Sequence, residues 1–513
     1  MKVEYISHSC IFVDTGDARI VFDPWFNGSA YCNQWHLFPK PLNTDILNTV
    51  DHIMISHGHE DHLHQQSLSL LPKNAKVYYP YLWQAGIHGY LNELGFNDVN
   101  EAVSYKEYAI TPNTNITFLT TSMDTIMILE SNGKVLVDLN DALNSHHENI
   151  VQLFIAEINK RWKKIDYLFV GLGGAGYFPN MVHHPSKNDN EIGLIREQKF
   201  VHNWCRLVHD LNPLQVLPFA PGFILLNQKT KWINELKFPR ETLLDYYKKY
   251  YDPNPTFELI VMYPHDQFID GVFIKKSPYH DQLINNSLNH LINDMYAEEI
   301  IEANKEEFAE PGMGDIILEK LIKHIPHAGR VFTEEILSQI DFVIRLDDII
   351  EMNYFNIEYR NKKWNICRGN EILSGKKLLL YTKSRFLNFS LDNEWGGDVF
   401  IGGYSCDIDI LDDIALSQNL DMACVRLLTC YPIGSEAMLQ EPLRAIKYLY
   451  NNPVLAKLSL KQKLFTPKIL NKIDYNERDR WINKSKCEVC QICDIPLLSY
   501  ELGEQLNNSN TEY

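Results

Sequence analysis

The chain has 513 residues, more than a single hydrophobic core usually organises, so two or three domains are expected. Hydrophobic residues make up 45% and charged residues 22%, an ordinary globular balance; the net charge of −18, from 48 basic and 66 acidic side chains, argues against non-specific nucleic-acid binding, which needs a basic surface. No apolar leader follows Met1 and no run approaches eighteen apolar residues, so a cytoplasmic protein without a membrane span is expected.

Val3 to Val13 and Arg19 to Phe22 read as two strands joined by a turn at Asp14-Thr15-Gly16-Asp17. His8 lies on the first strand. Asp23-Pro24-Trp25 follows the second, with Asp23 either a turn residue before proline or a hydrogen-bond partner for a metal-binding histidine. Phe26 to Leu42, rich in Asn, Trp, Tyr and Pro, reads as a long loop over a site mouth. Asp51 to Ser56 is a short buried strand. It runs into His57-Gly58-His59-Glu60-Asp61-His62, after which Leu63 to Leu71 suggests a helix. Three histidines and two carboxylates within six residues supply the usual ligands of zinc and non-haem iron, and at the end of a strand they can bracket two ions.

His57, His59, Asp61 and His62 match the metal motif of the metallo-β-lactamase superfamily. The resemblance implies an α/β fold, an αββα sandwich with one or two divalent metals, zinc or iron, at one edge of two packed sheets. It implies that His57 and His59 serve one metal and that Asp61 and His62 serve the other. It also implies that Asp23 buttresses the metal loop and that His8 faces the site, although a structural histidine is an equal reading for His8.

Further along, Ala75 to Tyr79, Tyr105 to Ile110 and Ile116 to Thr121 read as strands. Where the superfamily usually has a metal-binding histidine before a threonine, this chain has Asp124-Thr125, which hardens the site and shifts preference from zinc towards iron or manganese. By position Asp141 is the residue that would bridge the metals, with Asn140 replacing the usual glycine. Val151, Phe154, Ile155, Ile158 and Trp162 have helical spacing. Asp166 to Val170 is a buried strand leading into Gly171-Leu172-Gly173-Gly174-Ala175-Gly176, read as a substrate loop around Gly174 that matches no phosphate-loop fingerprint. His183 and His184 close that loop. After a helix over Ile195 to Leu211, the strand Leu214 to Phe219 ends at Ala220, where hydrolytic relatives place their last metal-ligand histidine. Alanine cannot ligate, so that half of the site is either depleted or completed by His183, His184 or His265.

These two departures, with the Asp-Pro-Trp start, narrow the likeness to the metallo-β-lactamase-like part of the CMP-N-acetylneuraminate hydroxylase group. It covers roughly residues 1 to 270 and extends weakly to Trp395-Gly396-Gly397-Asp398 and its surroundings. The electron-supplying Rieske domain of that group has no counterpart here, because no Cys-x-His…Cys-x-x-His pair occurs. The expected organisation is a metal-binding domain over 1–275, a helical connector over 276–340, a small α+β domain over 341–480 and a cysteine-containing tail over 481–513. In the tail, Cys487, Cys490 and Cys493 have the spacing of zinc or iron–sulfur ligands, or are plain thiols.

Three functions are weighed. The preferred one is a metal-dependent hydrolase, in which Asp61 orients a metal-activated water towards an ester, amide or phosphodiester. The alternatives are an iron-dependent oxygenase with a redox partner, acting on a sugar nucleotide or related small molecule, and a binding protein with a degraded metal site.

Overall fold

The computed structural model describes residues 1–81, 86–121, 124–144, 146, 148–176, 181–184, 189–393, 396–429, 442–454 and 456–457. Cys487, Cys490, Cys493, the rest of the tail and Trp395 lie outside the described residues.

Side-chain alternation builds the N-terminal part. In the strand Cys10–Asp14, Ile11 and Val13 face one core while Cys10 and Phe12 face another. In Thr125–Ser131, Ile126 and Ile128 point one way and Met127 and Leu129 the other. Both faces of both strands are therefore covered, which requires layers on either side.

The first sheet has eight strands, in the order Val272–Ile274, Gln267–Ile269, Lys2–Ser7, Cys10–Asp14, Arg19–Phe22, His52–Met54, Lys76–Pro80 and Val99–Ala102. The second has seven: Glu258–Leu259, Gln215–Phe219, Tyr167–Gly171, Lys134–Asp138, Thr125–Ser131, Thr114–Thr120 and Glu107–Thr111. Between them lies one core, in which Val3, Ile20, Phe22 and Met54 meet Phe118, Leu129, Phe169 and Phe219. Burying each such side chain contributes about 1.5–3 kcal/mol. On the outer face of the second sheet, helices Glu148–Arg161, Asp189–Leu211 and Leu243–Tyr250 bring Phe154, Trp204 and Tyr247 against Ile128 and Val137. On the outer face of the first, helices Gln65–Leu70 and Ile87–Glu93 supply Leu68 and Leu91. The layers are αββα, as expected.

Two local expectations are corrected. Val3 to Val13 is not one strand: Lys2–Ser7 and Cys10–Asp14 pair antiparallel, and the chain reverses at His8-Ser9. Neither residue is a usual hairpin signal, and His8 takes a left-handed backbone, φ 43°, of the kind turns ordinarily give to Gly or Asn. Phe26 to Leu42 is not a structureless loop. Its strands Ser29–Ala30 and Trp35–Leu37 join Phe223–Leu225 in a three-stranded sheet, with Trp35 stacked on Phe223 at 3.5 Å.

A fourth sheet, of six strands, is built mostly after the helices Tyr279–Asn285, Leu288–Met295, Ala297–Ala303 and Met313–Ala328. Its order is Val182–His183, Asp407–Ile410, Leu378–Thr382, Asp341–Leu346, Tyr354–Arg360 and Lys363–Gly369. The edge strand Val182–His183 comes from the N-terminal part and pairs parallel with Asp407–Ile410. One apolar cluster joins this sheet to the N-terminal part, from Phe342, Ile344 and Leu380 to Trp25, Trp35 and Phe223. Among the described residues, no helix is long and apolar enough to cross a membrane.

Candidate metal centre

Strand ends at one edge of the paired sheets deliver the polar residues. His57 to His62 follow His52–Met54, Asp124 precedes Thr125–Ser131, and Asp141 follows Lys134–Asp138. His57 Nε2 lies 2.7 Å from His59 Nδ1, 3.8 Å from an Asp141 oxygen and 3.9 Å from an Asp124 oxygen. His62 Nε2 lies 3.3 Å from Asp61 Oδ2 and 3.5 Å from Asp141 Oδ2. The six residues expected to bind metal therefore converge, with Asp141 between the two halves.

Asp23 organises them. It is fully buried, with a left-handed φ of 40°. Its Oδ1 accepts from the Ser56 amide at 2.8 Å, and its Oδ2 accepts from the Ser56 hydroxyl at 2.7 Å, His62 Nδ1 at 3.0 Å and the Asn140 amide. Because Ser56 Oγ spends its proton on Asp23, it accepts from His57 Nδ1 at 2.9 Å. Both histidines are thus protonated on Nδ1 and turn the Nε2 lone pair into the site, the arrangement in which imidazole binds a metal. Asn140, left-handed at φ 56°, does for its neighbour Asp141 what the expected glycine would do.

The residues fit a metal. His62 Nε2 is buried and has no hydrogen-bond partner. His57 Nε2 and His59 Nδ1 face each other at a distance that two lone pairs tolerate only with a proton or a cation between them. The electrostatics agree. Burial opposes charge on His62, yet Asp61, Asp23 and Asp141 hold its pKa well above the usual imidazole value. Burial likewise opposes charge on His59, and Asp398, Asp124, Asp61 and Asp141 outweigh it. His57 is instead held low by burial and by the neighbouring His62 and His59. Burial lifts the Asp124 carboxyl to about 6. The carboxylates have gathered a positive charge that a metal ion can supply.

Asp61 is saturated with donors. Its Oδ1 accepts from the Tyr31 hydroxyl at 2.6 Å, and its Oδ2 lies 3.0 Å from His8 Nε2. Tyr31 stands on a turn in which Tyr31, Cys32 and Asn33 are all left-handed, and from the other side it packs against Gly402 and Gly403. No pattern in its segment announces it, because only the fold brings residue 31 to residue 61. Asp398 reached the site by the same route, from the segment rich in glycine at 396–403.

The other expected residues stand elsewhere. His183 Nε2 pairs with Asp407 at 3.0 Å, His184 Nε2 with Asp413 at 2.8 Å, and His265 Nδ1 with Glu4 at 3.2 Å. These pairings hold the three rings on other carboxylates, so none replaces the histidine missing at Ala220. A Cβ on Gly174 would fall 2.2 Å from the Phe200 ring, so this glycine admits the aromatic side chain of Phe200.

Residues 2–149 match the model of the β-lactamase superfamily domain. Over 253 residues the chain is 25% identical to the cytidine monophosphate-N-acetylneuraminic acid hydroxylase of Danio rerio, covering 46% of this chain and 40% of that one. Over 258 residues it is 27% identical to the Homo sapiens protein named as the inactive form, covering 46% and 48%. The match spans less than half the length of these curated relatives. Among solved structures, CmlA, described as a diiron β-hydroxylase from Streptomyces venezuelae, aligns over 54% of each chain at 17% identity and a TM-score of 0.36. The chain carries a β-lactamase superfamily domain in residues 2–149, and over somewhat less than half its length it resembles the cytidine monophosphate-N-acetylneuraminic acid hydroxylases.

Proposed function

We propose that this protein is an iron-dependent oxygenase that hydroxylates a small metabolite, with a sugar nucleotide as the leading substrate class. The observation that carries the reading is the donor set. Asp124 stands for one histidine and Ala220 for another, which leaves a centre of three imidazoles and three carboxylates, harder than a zinc hydrolase usually builds and suited to iron. The names of the curated relatives support the reaction class and the substrate class.

His57, His59, Asp124 and Asp141 would hold one ion, and His62, Asp61 and Asp141 the other. When bound, iron supplies the oxidising chemistry: one oxygen atom of O2 enters a C–H bond and the other leaves as water, with two protons and two electrons from a separate reductant. The chain's own part is positioning. Asp23 fixes both imidazole tautomers, Asn140 sets Asp141, and Tyr31 and His8 clamp Asp61. That clamp suits Asp61 to binding and leaves it a poor base for water, which weighs against hydrolysis. Asp141 and His59 are the half-buried members, so the substrate approaches from their side.

Metal analysis of protein purified without oxygen, followed by oxygen uptake in the presence of a chemical reductant, tests the reading. Retained iron with uptake that His59→Ala abolishes is the expected result. Two zinc ions, no oxygen uptake and hydrolysis of a phosphodiester or ester would replace it with the hydrolase.

A further inference from the structure

We infer that the two halves of the centre bind metal unequally: one ion is held firmly by His57, His59, Asp124 and Asp141, and the half made by His62 and Asp61 takes its ion about 100-fold more weakly or worse. The inference rests on the metal-binding reading above and is independent of the reaction.

The first half has two imidazole nitrogens 2.7 Å apart, with carboxylates of Asp124 and Asp141 within 3.9 Å of the His57 nitrogen. The second has His62 Nε2, Asp61 and the shared Asp141. Its second nitrogen should come from position 220, which is alanine. What fills that space is His8. The Ala220 amide donates to the His8 carbonyl at 3.3 Å, and Gly222 is pressed so close that a Cβ there would lie 2.7 Å from His8 Cα. By distance alone His8, Asp61 and His62 form a set that could hold an ion.

The tautomer of His8 decides otherwise. The Gly222 amide donates to His8 Nδ1 at 2.9 Å. A backbone amide has no choice of role, so Nδ1 must keep its lone pair and the single ring proton sits on Nε2, aimed at Asp61 Oδ2 at 3.0 Å. A ligating histidine donates an N–H from its other nitrogen, as His62 does to Asp23 and His57 to Ser56. His8 is wired the opposite way and would have to give up its last proton to bind an ion. It is therefore a positioning residue for Asp61. Losing even a hydrogen-bond partner of a ligand costs about 10–100-fold in affinity, and losing a ligand nitrogen costs no less.

Titration of the metal-free protein with Co(II), followed by its visible absorption, should reach its end point at one equivalent. A second equivalent should bind only at concentrations about 100-fold higher. Protein loaded with excess Zn(II) and desalted should keep one ion per chain. His62→Ala should retain that ion and His59→Ala should lose it, with circular dichroism confirming that each variant is folded. The double variant His8→Ala/Ala220→His, which removes the block and restores an imidazole, should keep two. A single-affinity end point at two equivalents in the unaltered protein, or two ions after desalting, overturns the inference. Binding of no metal at all would remove the metal-binding reading beneath it.

Discussion

Asp23→Asn is the substitution that the geometry marks as least conservative. The carboxylate accepts from four buried donors: the Ser56 amide and hydroxyl, His62 Nδ1 and the Asn140 side chain. An amide keeps one acceptor oxygen and turns two N–H groups towards the remaining donors. Its best placement turns the oxygen to the Ser56 hydroxyl, His62 and Asn140, which leaves the NH2 group facing the Ser56 amide and the other three bonds without the carboxylate's charge. The donor–donor contact costs roughly 1–3 kcal/mol and each of the three bonds that loses a charged acceptor about 1 kcal/mol, so with partial relaxation the total is about 3–5 kcal/mol, the range found when one side of a buried charged network is removed. For a domain of about 150–250 residues each kcal/mol lowers the melting temperature by roughly 2–4 °C, so a fall of about 10 °C is expected. Metal should leave with stability, since the Nδ1 protons of His57 and His62 are both fixed through Asp23; affinity should drop by about 10–100-fold or more. Thermal unfolding with and without added metal, together with metal content after desalting, measures both. If Asp23→Asn melts within about a degree of the parent and keeps its metal, Asp23 is only a turn residue and the organisation described for the centre is wrong.

Tyr31→Phe removes the 2.6 Å hydrogen bond to Asp61 and should cost about 1.5–3 kcal/mol in thermal unfolding, the worth of a bond to a charged group, while the ion on His57 and His59 is retained. Gly174→Ala should destabilise by about 1–3 kcal/mol, because its methyl would meet the Phe200 ring at 2.2 Å; adding Phe200→Leu should recover much of that, and no recovery would mean the loop is constrained by something else. Glu197 lies buried beside Gly173, and burial lifts its carboxyl to about 7 from 4.5 despite Arg196 and Lys237. Because the folded value is the higher one, stability is greatest below the unfolded value and is lost as pH rises from about 4.5 to about 7. Glu197→Gln should therefore raise the melting temperature at about pH 8 and do so much less at about pH 5; an equal gain at both would show that ionisation is not the cause.

The centre was legible where its chemistry is local and illegible where it is not. His57, His59, Asp61 and His62 share one loop, so spacing alone placed them together. Asp124 and Asp141 could be located because the superfamily resemblance places ligands beside those two strands. In the sequence Asp23 fits two roles, since a buried acceptor and a turn residue before proline look alike until Ser56 and Asn140 are seen around it. Tyr31 carries no signal of its own and Asp398 only the weak family likeness of its segment; both arrive through packing between distant segments. His183, His184 and His265 show the converse failing: a histidine near a gap in the motif looks like its replacement, but carboxylates on other strands had already taken all three. The hairpin at His8 was missed because no glycine or asparagine marks the reversal, so its place against Ala220 and Gly222 could not be anticipated.

The strand Val182–His183 has a consequence for how the chain can be divided. It hydrogen-bonds in register with Ile408 and Asp409 and leaves the first half of the sequence to complete a sheet made otherwise by the second. Cutting the polypeptide near residue 275 would free Asp407–Ile410 as an open edge, a row of amides and carbonyls ready to pair with any passing strand. The two pieces should behave as complementing fragments: poorly behaved apart, and reassembling when mixed because each holds the other's missing edge. Production of either half alone calls for capping or redesigning that edge first.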